Sequence, residues 1–98
     1  NCDNFLVLSS LDDFSLSSIY PNPFNNSTII NILSNNHNPI RLNIYDIRGS
    51  LVKTIMKNDI KKDNNLIVLD LKGESSGNYI INILSKNRSI SKSVTYLK

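Results

Sequence analysis

The stretch Ile19–Phe24, with the sequence IYPNPF, places two prolines on either side of a single asparagine. Pro21 and Pro23 each fix φ near about −65° and disfavour helical geometry in the residue before them. An extended backbone is therefore predicted at this point, with apolar residues on both sides that can attach it to a core. The chain before this stretch has the composition of a tether, and the chain after it alternates in the manner of strands.

The composition favours β structure throughout. The 98 residues include no alanine, glutamine or tryptophan and a single glutamate, Glu74, whereas isoleucine, asparagine, serine and lysine are abundant. The best helix formers are thus nearly missing, while β-branched residues and turn formers are plentiful. A chain of this length can bury one core, so we predict a single all-β domain.

Period-2 alternation predicts six strands after the proline stretch and a short strand before it. This number and spacing are typical of an immunoglobulin-like antiparallel β-sandwich with seven strands. A hairpin over residues 40–56 is predicted to turn at Gly49 in a left-handed conformation, and the slipped alternation predicts a bulge or a twist near Tyr45. Of the alternating sets, Ile67, Leu69 and Leu71 are predicted to face inward. The sets predicted to share one face of their strand are Thr28, Ile30 and Ile32; Ile40, Leu42 and Ile44; Tyr79, Ile81 and Ile83; and Ile90, Val94 and Tyr96.

The domain is predicted to cover residues 14–98, with residues 1–13 forming a linker or the tail of a preceding domain. Because the chain begins without methionine, we expect it to be a fragment of a longer protein; since it has no cationic-then-apolar start, any signal peptide is expected to lie upstream. Cys2 is the single cysteine, so it is expected either to pair with a cysteine of a preceding domain or to be a free thiol.

The residue inventory indicates no catalytic, metal or cofactor site. The single histidine, His37, is expected to be a solvated loop residue, and one histidine with one distant cysteine supports neither a hydrolytic triad nor a zinc site. The carboxylate pair Asp12–Asp13 falls in the tether, and Asp59 and Asp63 flank lysines in a loop. The net charge of +3 is spread from Arg41 to Lys98, so no nucleic-acid partner is predicted.

Four landmarks in fixed order resemble the C-terminal sorting domain of type IX secretion substrates from Bacteroidetes. They are YPNPF at 20–24, IYDIRGSLV at 44–52, SGNYIINI at 76–83 and the lysine-bearing end of the chain at 92–98. The match covers about residues 14–98. Asn78 and the sparse basic pattern of SKSVTYLK depart from the family pattern. The residues that carry the resemblance are Tyr20, Pro21, Asn22, Pro23, Asp46, Gly49, Gly77, Tyr79, Lys92 and Lys98.

The resemblance implies a non-catalytic signal that directs a cargo protein, carried upstream in the same chain, from the periplasm across the outer membrane. The implied partners are the outer-membrane translocon with its shuttle protein and a sortase-like peptidase of the cell surface, which then removes the domain. The implied location is the periplasm in transit and then the cell surface or the medium. The polar segment Ser9–Ser18 is the expected place of cleavage.

Two interpretations of the last strand remain open at this stage: it docks against the secretion machinery through its edge, or it only completes the sheet. The alternative function is a carbohydrate-binding or fibronectin-like module appended to an enzyme or adhesin, and a third is a passive spacer. The absence of tryptophan and an aromatic content of 7% count against a sugar-binding face.

Overall fold

A computed structural model of the chain describes residues 14–34, 37–86 and 88–98. These residues form seven strands and no helix. The predicted all-β, seven-stranded antiparallel sandwich is confirmed. The strands are β1 (Phe14–Tyr20), β2 (Ser27–Ser34), β3 (Ile40–Tyr45), β4 (Leu51–Lys57), β5 (Asp63–Asp70), β6 (Gly77–Leu84) and β7 (Ser89–Tyr96).

Two sheets make up the sandwich. Three strands form one sheet in the order β1-β2-β5, and four form the other in the order β4-β3-β6-β7. All neighbouring strands are antiparallel. The last strand, β7, is therefore an edge strand, as are β1, β4 and β5.

Alternation along the strands builds the core between the two sheets. In β2 the buried residues Thr28, Ile30 and Ile32 alternate with exposed or half-buried neighbours, as the period of 2 requires. The same pattern holds in β3, β5 and β6, which confirms the predicted alternation, and Ile67, Leu69 and Leu71 are buried as predicted. In β7, Val94 and Tyr96 are buried and Ile90 packs against the core at its margin.

The predicted irregularities are located correctly. The β3–β4 register shifts between Ile44 and Tyr45, which confirms the bulge, and Gly49 has φ of +86°, which confirms its left-handed position. A second register shift, between Leu16 and Ser18 in β1, was not predicted. The peptide bonds Tyr20–Pro21 and Asn22–Pro23 are both cis.

Three sequence-based expectations need correction. Tyr20 is 76% exposed, so it does not help to attach the proline stretch to the core. The expected cleavage segment Ser9–Ser18 overlaps the first strand, because residues from Phe14 onward belong to β1 and pair with β2. His37 is exposed but not merely solvated: its Nδ1 donates a hydrogen bond of 2.8 Å to the carbonyl oxygen of Ile60.

The antiparallel strands gather the connections at two opposite ends. We call distal the end that contains residues 21–26, the β3–β4 turn at 46–50, the β5–β6 loop at 71–76 and the last residues, 97–98. The proximal end contains Phe14, residues 37–39 and 58–62, and the β6–β7 connection. Eight residues of β2 separate the two ends by roughly 25 Å.

The extent of the domain over 14–98 stays a prediction, since residues 1–13 and Cys2 among them lie outside the described residues. Within the described ranges, none of the chain forms a helix long and apolar enough to cross a membrane.

Candidate functional site

The proline stretch lies against the end of β7 at the distal end of the sandwich. The N–H of Phe24 donates to the carbonyl oxygen of Thr95 at 3.0 Å, and the N–H of Leu97 donates to the carbonyl oxygen of Phe24 at 2.8 Å. Phe24 thereby forms a parallel bridge with Tyr96. This short stretch therefore extends the four-stranded sheet beyond β7 for one bridge.

Side chains hold the same stretch from both sides. The Oδ1 of Asn22 accepts a hydrogen bond from the N–H of Thr95 at 3.0 Å. The Oγ1 of the buried Thr28 donates to the carbonyl oxygen of Pro21 at 2.7 Å. The ring of Phe24 is 2% exposed and lies 5.2 Å from the ring of Tyr96, at an interplanar angle of 38°. The stretch is thus joined to β7, to β2 and to the core.

Asp46 organises the β3–β4 turn. Its Oδ1 accepts hydrogen bonds from the N–H of Arg48 at 2.9 Å and of Ser50 at 3.0 Å, and its Oδ2 pairs with the Arg48 guanidinium at 3.1 Å. The hydrogen bond from Ser50 is the largest cause that holds the pKa of Asp46 below its ordinary value; Arg48 lowers it further, and partial burial opposes both. Gly49 adds an N–H bond of 3.0 Å to the carbonyl oxygen of Asp46.

A cleft of about 360 Å³ separates this turn from the β5–β6 loop. Tyr79 lies at its base: its ring is buried and its hydroxyl donates to the carbonyl oxygen of Ser75 at 2.6 Å. Burial raises the pKa of the Tyr79 hydroxyl above its ordinary value, and the Glu74 carboxylate adds to the rise. The hydroxyl therefore remains a protonated donor that holds the loop in place.

The last residues of the chain border this loop. The N–H of Lys98 donates to Oγ of Ser76 at 2.7 Å, and Gly77 pairs with Tyr96 across β6 and β7. Gly77 has φ of +153°, and it begins β6 directly after the loop. The chain end and the β5–β6 loop thus form one continuous surface.

Nine of the ten residues that carry the resemblance meet at the distal end, although they come from four separate parts of the chain. Lys92 is the exception, because it pairs with Ile81 in the middle of β7. The residues brought together are Tyr20, Pro21, Asn22, Pro23, Asp46, Gly49, Gly77, Tyr79 and Lys98.

Sequence reasoning missed several contributors to this surface. Thr95 donates its hydroxyl to Oδ1 of Asn78 at 2.7 Å and its N–H to Asn22, and Ser76 and Thr28 make the contacts given above. Alternation placed Tyr96 on the same face as Val94, but no local signal indicated that its partner is Phe24. These contacts join residues far apart in sequence, which local patterns do not predict.

The distal surface carries balanced charge and no candidate metal centre. Its basic residues are Arg48, Lys72 and Lys98, and its acidic residues are Asp46, Asp70 and Glu74. Within residues 14–34, 37–86 and 88–98, no group of three His, Cys, Asp or Glu side chains is placed to hold a metal ion. The surface offers hydrogen-bonding groups and shape rather than one strong charge.

The sequence of the chain was compared with models of protein families and with curated proteins. A family model described as the secretion system C-terminal sorting domain matches residues 18–96. The chain belongs to that family. The matched range begins within β1 and ends with Tyr96, so it includes the proline stretch and all the strands that follow it. A search of curated proteins gave no match to the chain.

Family membership identifies the sandwich as a type IX secretion sorting domain, a family usually found in Bacteroidetes. Such a domain is a sorting signal rather than a known catalytic domain. It implies interaction with the type IX secretion machinery and export of the protein to the cell surface or the medium.

The edge of β7 in this sorting domain is only partly available. The backbone N–H and C=O groups of successive residues in a strand point in opposite directions. Because the backbone groups of Thr95 and Leu97 bond to residues 22–24, the backbone groups of these two residues point away from β6. Ser91 and Ser93 have the same parity, so their N–H and C=O groups also point outward. The proline stretch therefore occupies the distal end of this edge, and the outward backbone groups that lie beyond it are those of Ser91 and Ser93.

Proposed function

We propose that residues 14–98 act as a folded, non-catalytic signal that directs a cargo protein, attached before β1, from the periplasm across the outer membrane through the type IX secretion system. Membership of the sorting-domain family carries this proposal. The arrangement of the molecule supports it, because a cargo attached at Phe14 would leave from the proximal end. The distal surface would then stay accessible to the secretion machinery.

The distal surface is the proposed recognition site for the translocon or its shuttle protein. Its landmarks lie at residues 20–24, 46–49, 77–79 and 98, and they come together only when both sheets have formed. A receptor that contacts several of them at once would therefore distinguish a folded domain from an unfolded chain. This property suits a signal that is recognised after the cargo has reached the periplasm.

The edge of β7 is the proposed second contact. Because residues 22–24 occupy the edge at Thr95 and Leu97, an added strand from a partner would pair with the outward backbone groups of Ser91 and Ser93. Proline tests this directly. Ser91→Pro removes an outward N–H and leaves the β6–β7 ladder intact, whereas Ser91→Ala removes only the hydroxyl. We expect Ser91→Pro to impair export and Ser91→Ala to preserve it; normal export of a folded Ser91→Pro protein would exclude pairing at this edge.

Removal of the domain by a sortase-like peptidase at the cell surface completes the proposal. We propose cleavage within Ser9–Asp13; the start of β1 at Phe14 supports this, because cleavage there would open no bond of the described sheet. Mass spectrometry of the released domain would give its first residue. A first residue after Phe14 would contradict this placement.

The experiment that tests the function is a transplant. Residues 9–98 are fused to the C-terminus of a fluorescent protein with a conventional signal peptide and expressed in a host with a type IX apparatus. We expect fluorescence at the surface or in the medium, and its retention inside when the translocon is deleted. Periplasmic retention of a folded fusion in the intact host would refute the sorting function and would favour a binding module instead.

A further inference from the structure

The edge strand β5 is long, regular and apolar. It pairs with β2 over its whole length, from Asp63 to Asp70, without a register shift. On the face of the sheet that points away from the core it carries Leu66 and Val68, which are 61% and 60% exposed. An edge strand with these properties is a template for pairing with another chain.

The other three edge strands of the described sandwich are less regular or less apolar. Register shifts leave Ser17 of β1 and Val52 of β4 without an opposite residue, and such bulges interrupt a ladder. The proline stretch occupies the distal end of β7, and the residues with outward backbone groups beyond it are Ser91 and Ser93. The edge of β5 is therefore the one that combines a regular ladder with apolar side chains.

A lysine of the four-stranded sheet reaches this edge. Lys53 of β4 lies opposite Ile44, whose side chain is fully buried, so the side chain of Lys53 starts from the inner face of its strand. Its Nζ donates a hydrogen bond of 2.9 Å to the carbonyl oxygen of Asp70, at the end of β5. An ammonium group from the edge of one sheet thus covers a backbone acceptor at the edge of the other.

The same hydrogen bond indicates the direction of the backbone groups of β5. The carbonyl of Asp70 accepts a donor from outside its own sheet, so it points away from β2. Because successive residues alternate in direction, the N–H and C=O groups of Leu66 and Val68 also point outward. The two residues with exposed apolar side chains are thus the ones that can offer backbone hydrogen bonds to an added strand.

We propose that the edge of β5 is able to pair with β5 of a second copy of this chain, and that Lys53 prevents this pairing in the natural protein. The strand is complementary to itself. Antiparallel pairing about a two-fold axis at Ile67 would place Leu66 of one copy opposite Val68 of the other, so apolar side chains would meet. This inference does not depend on the sorting function.

Lys53 opposes the pairing because it holds a backbone group that the second copy would need. The two-fold arrangement places Asn64 of one copy opposite Asp70 of the other, at both ends of the shared ladder. The carbonyl oxygen of Asp70 already accepts from Lys53, so the ladder is blocked at each end. An added strand would have to displace two ammonium groups and bring them close to apolar side chains, which costs free energy. Lysines on edge strands are one means by which sheets avoid pairing with each other.

Sedimentation velocity of the whole chain of residues 1–98 tests the role of Lys53, under reducing conditions so that Cys2 forms no disulfide. Lys53→Thr removes the ammonium group, and Lys86→Thr makes the same change at an exposed position of the proximal end. We expect the natural chain and Lys86→Thr to stay monomeric. Lys53→Thr should dimerise, with a dissociation constant at least about tenfold lower than that of Lys86→Thr. Lys53→Met, which keeps an unbranched side chain without the charge, should dimerise as well and serves as the second variant.

Proline tests whether β5 is the strand that pairs. Val68→Pro removes an outward N–H and leaves the bonds to β2 in place, whereas Val68→Thr keeps that N–H. In the Lys53→Thr chain, we expect Val68→Pro to restore the monomer and Val68→Thr to leave the dimer. A dimer that survives Val68→Pro would overturn the proposal. So would a folded Lys53→Thr or Lys53→Met chain that stays monomeric, because a loss of stability without a dimer would show that Lys53 only joins the two sheets.

Discussion

The Oδ1 of Asn22 accepts a hydrogen bond of 3.0 Å from the backbone N–H of Thr95, across 73 residues of sequence. Together with the two backbone bonds of Phe24, it attaches the proline stretch to the outward edge of the last strand. The asparagine between the two prolines thus supplies a side-chain acceptor for β7 that the prolines cannot supply. It replaces a strand partner at the point where the chain turns from β1 into β2.

Replacing Asn22 tests this attachment. We expect Asn22→Ala to lower the free energy of unfolding by about 0.5–1 kcal/mol, because the N–H of Thr95 loses its acceptor but remains close to water. Chemical denaturation measures the change. Asn25→Ala, at an exposed position of the same connection, is the control and should change the free energy little. Equal losses in the two variants would show that the bond contributes nothing.

Phe24 anchors the proline stretch in the core, so truncating its side chain should lower the free energy of unfolding by more than Asn22→Ala does. Phe24→Ala leaves a cavity beside Tyr96, and we expect it to lower the free energy of unfolding by about 3–5 kcal/mol. Phe24→Leu fills more of this space, so we expect it to lower the free energy of unfolding by roughly 1 kcal/mol. Thermal and chemical unfolding measure both variants. A loss below about 1 kcal/mol for Phe24→Ala would contradict the buried contact with Tyr96.

The charge of Asp46 in the β3–β4 turn makes the domain less stable as the pH falls into the acid range. Since the folded pKa of Asp46 is lowered, its charge stabilises the fold above the ordinary value of 3.8, and this contribution is lost as pH falls through the lowered folded pKa. Asp46→Asn should therefore unfold at a lower temperature than the natural protein near neutral pH. The difference should narrow below pH 3.8. A difference that is constant over this range would exclude the charge as its cause.

Gly49 is required by backbone geometry alone. Its φ is +86°, and a Cβ placed there would meet no atom within 4 Å, so any cost of substitution comes from the left-handed conformation. We expect Gly49→Ala to destabilise the domain by about 1 kcal/mol and Gly49→Asn by less, because asparagine tolerates this conformation better. Equilibrium unfolding compares the two. The reverse order would indicate that the turn changes its conformation in the variants.

The period of 2 predicted most of the fold from sequence. Thr28, Ile30 and Ile32 share one face as expected, and that face is buried, because packing on one side imposes alternation on a strand. The slipped phase at Tyr45 likewise predicted the bulge. Such signals are local, and they hold wherever packing leaves one side of a strand in water.

The candidate site was predictable only in part. Glycine and proline marked the turns at Gly49 and Pro21, but nothing local indicated that Phe24 would pair with β7 or that Asn22 would meet Thr95. These contacts depend on how the two sheets are stacked. The exposure of Tyr20 was missed because the register shift between Leu16 and Ser18, which the sequence did not indicate, changes which residues at the end of β1 face outward.

The central claim, that the secretion machinery recognises the distal end, is tested most directly by the export of paired variants of the fluorescent fusion. The distal variant carries Tyr20→Ser with Lys98→Ser, and the matched proximal variant carries Lys61→Ser with Lys86→Ser; all four residues are exposed. With both variants shown to fold, we predict that the distal changes reduce exported fluorescence about tenfold, equivalent to roughly 1.4 kcal/mol of binding, and that the proximal changes leave it unaltered. Equal export of the two variants, or a loss confined to the proximal one, would contradict the account.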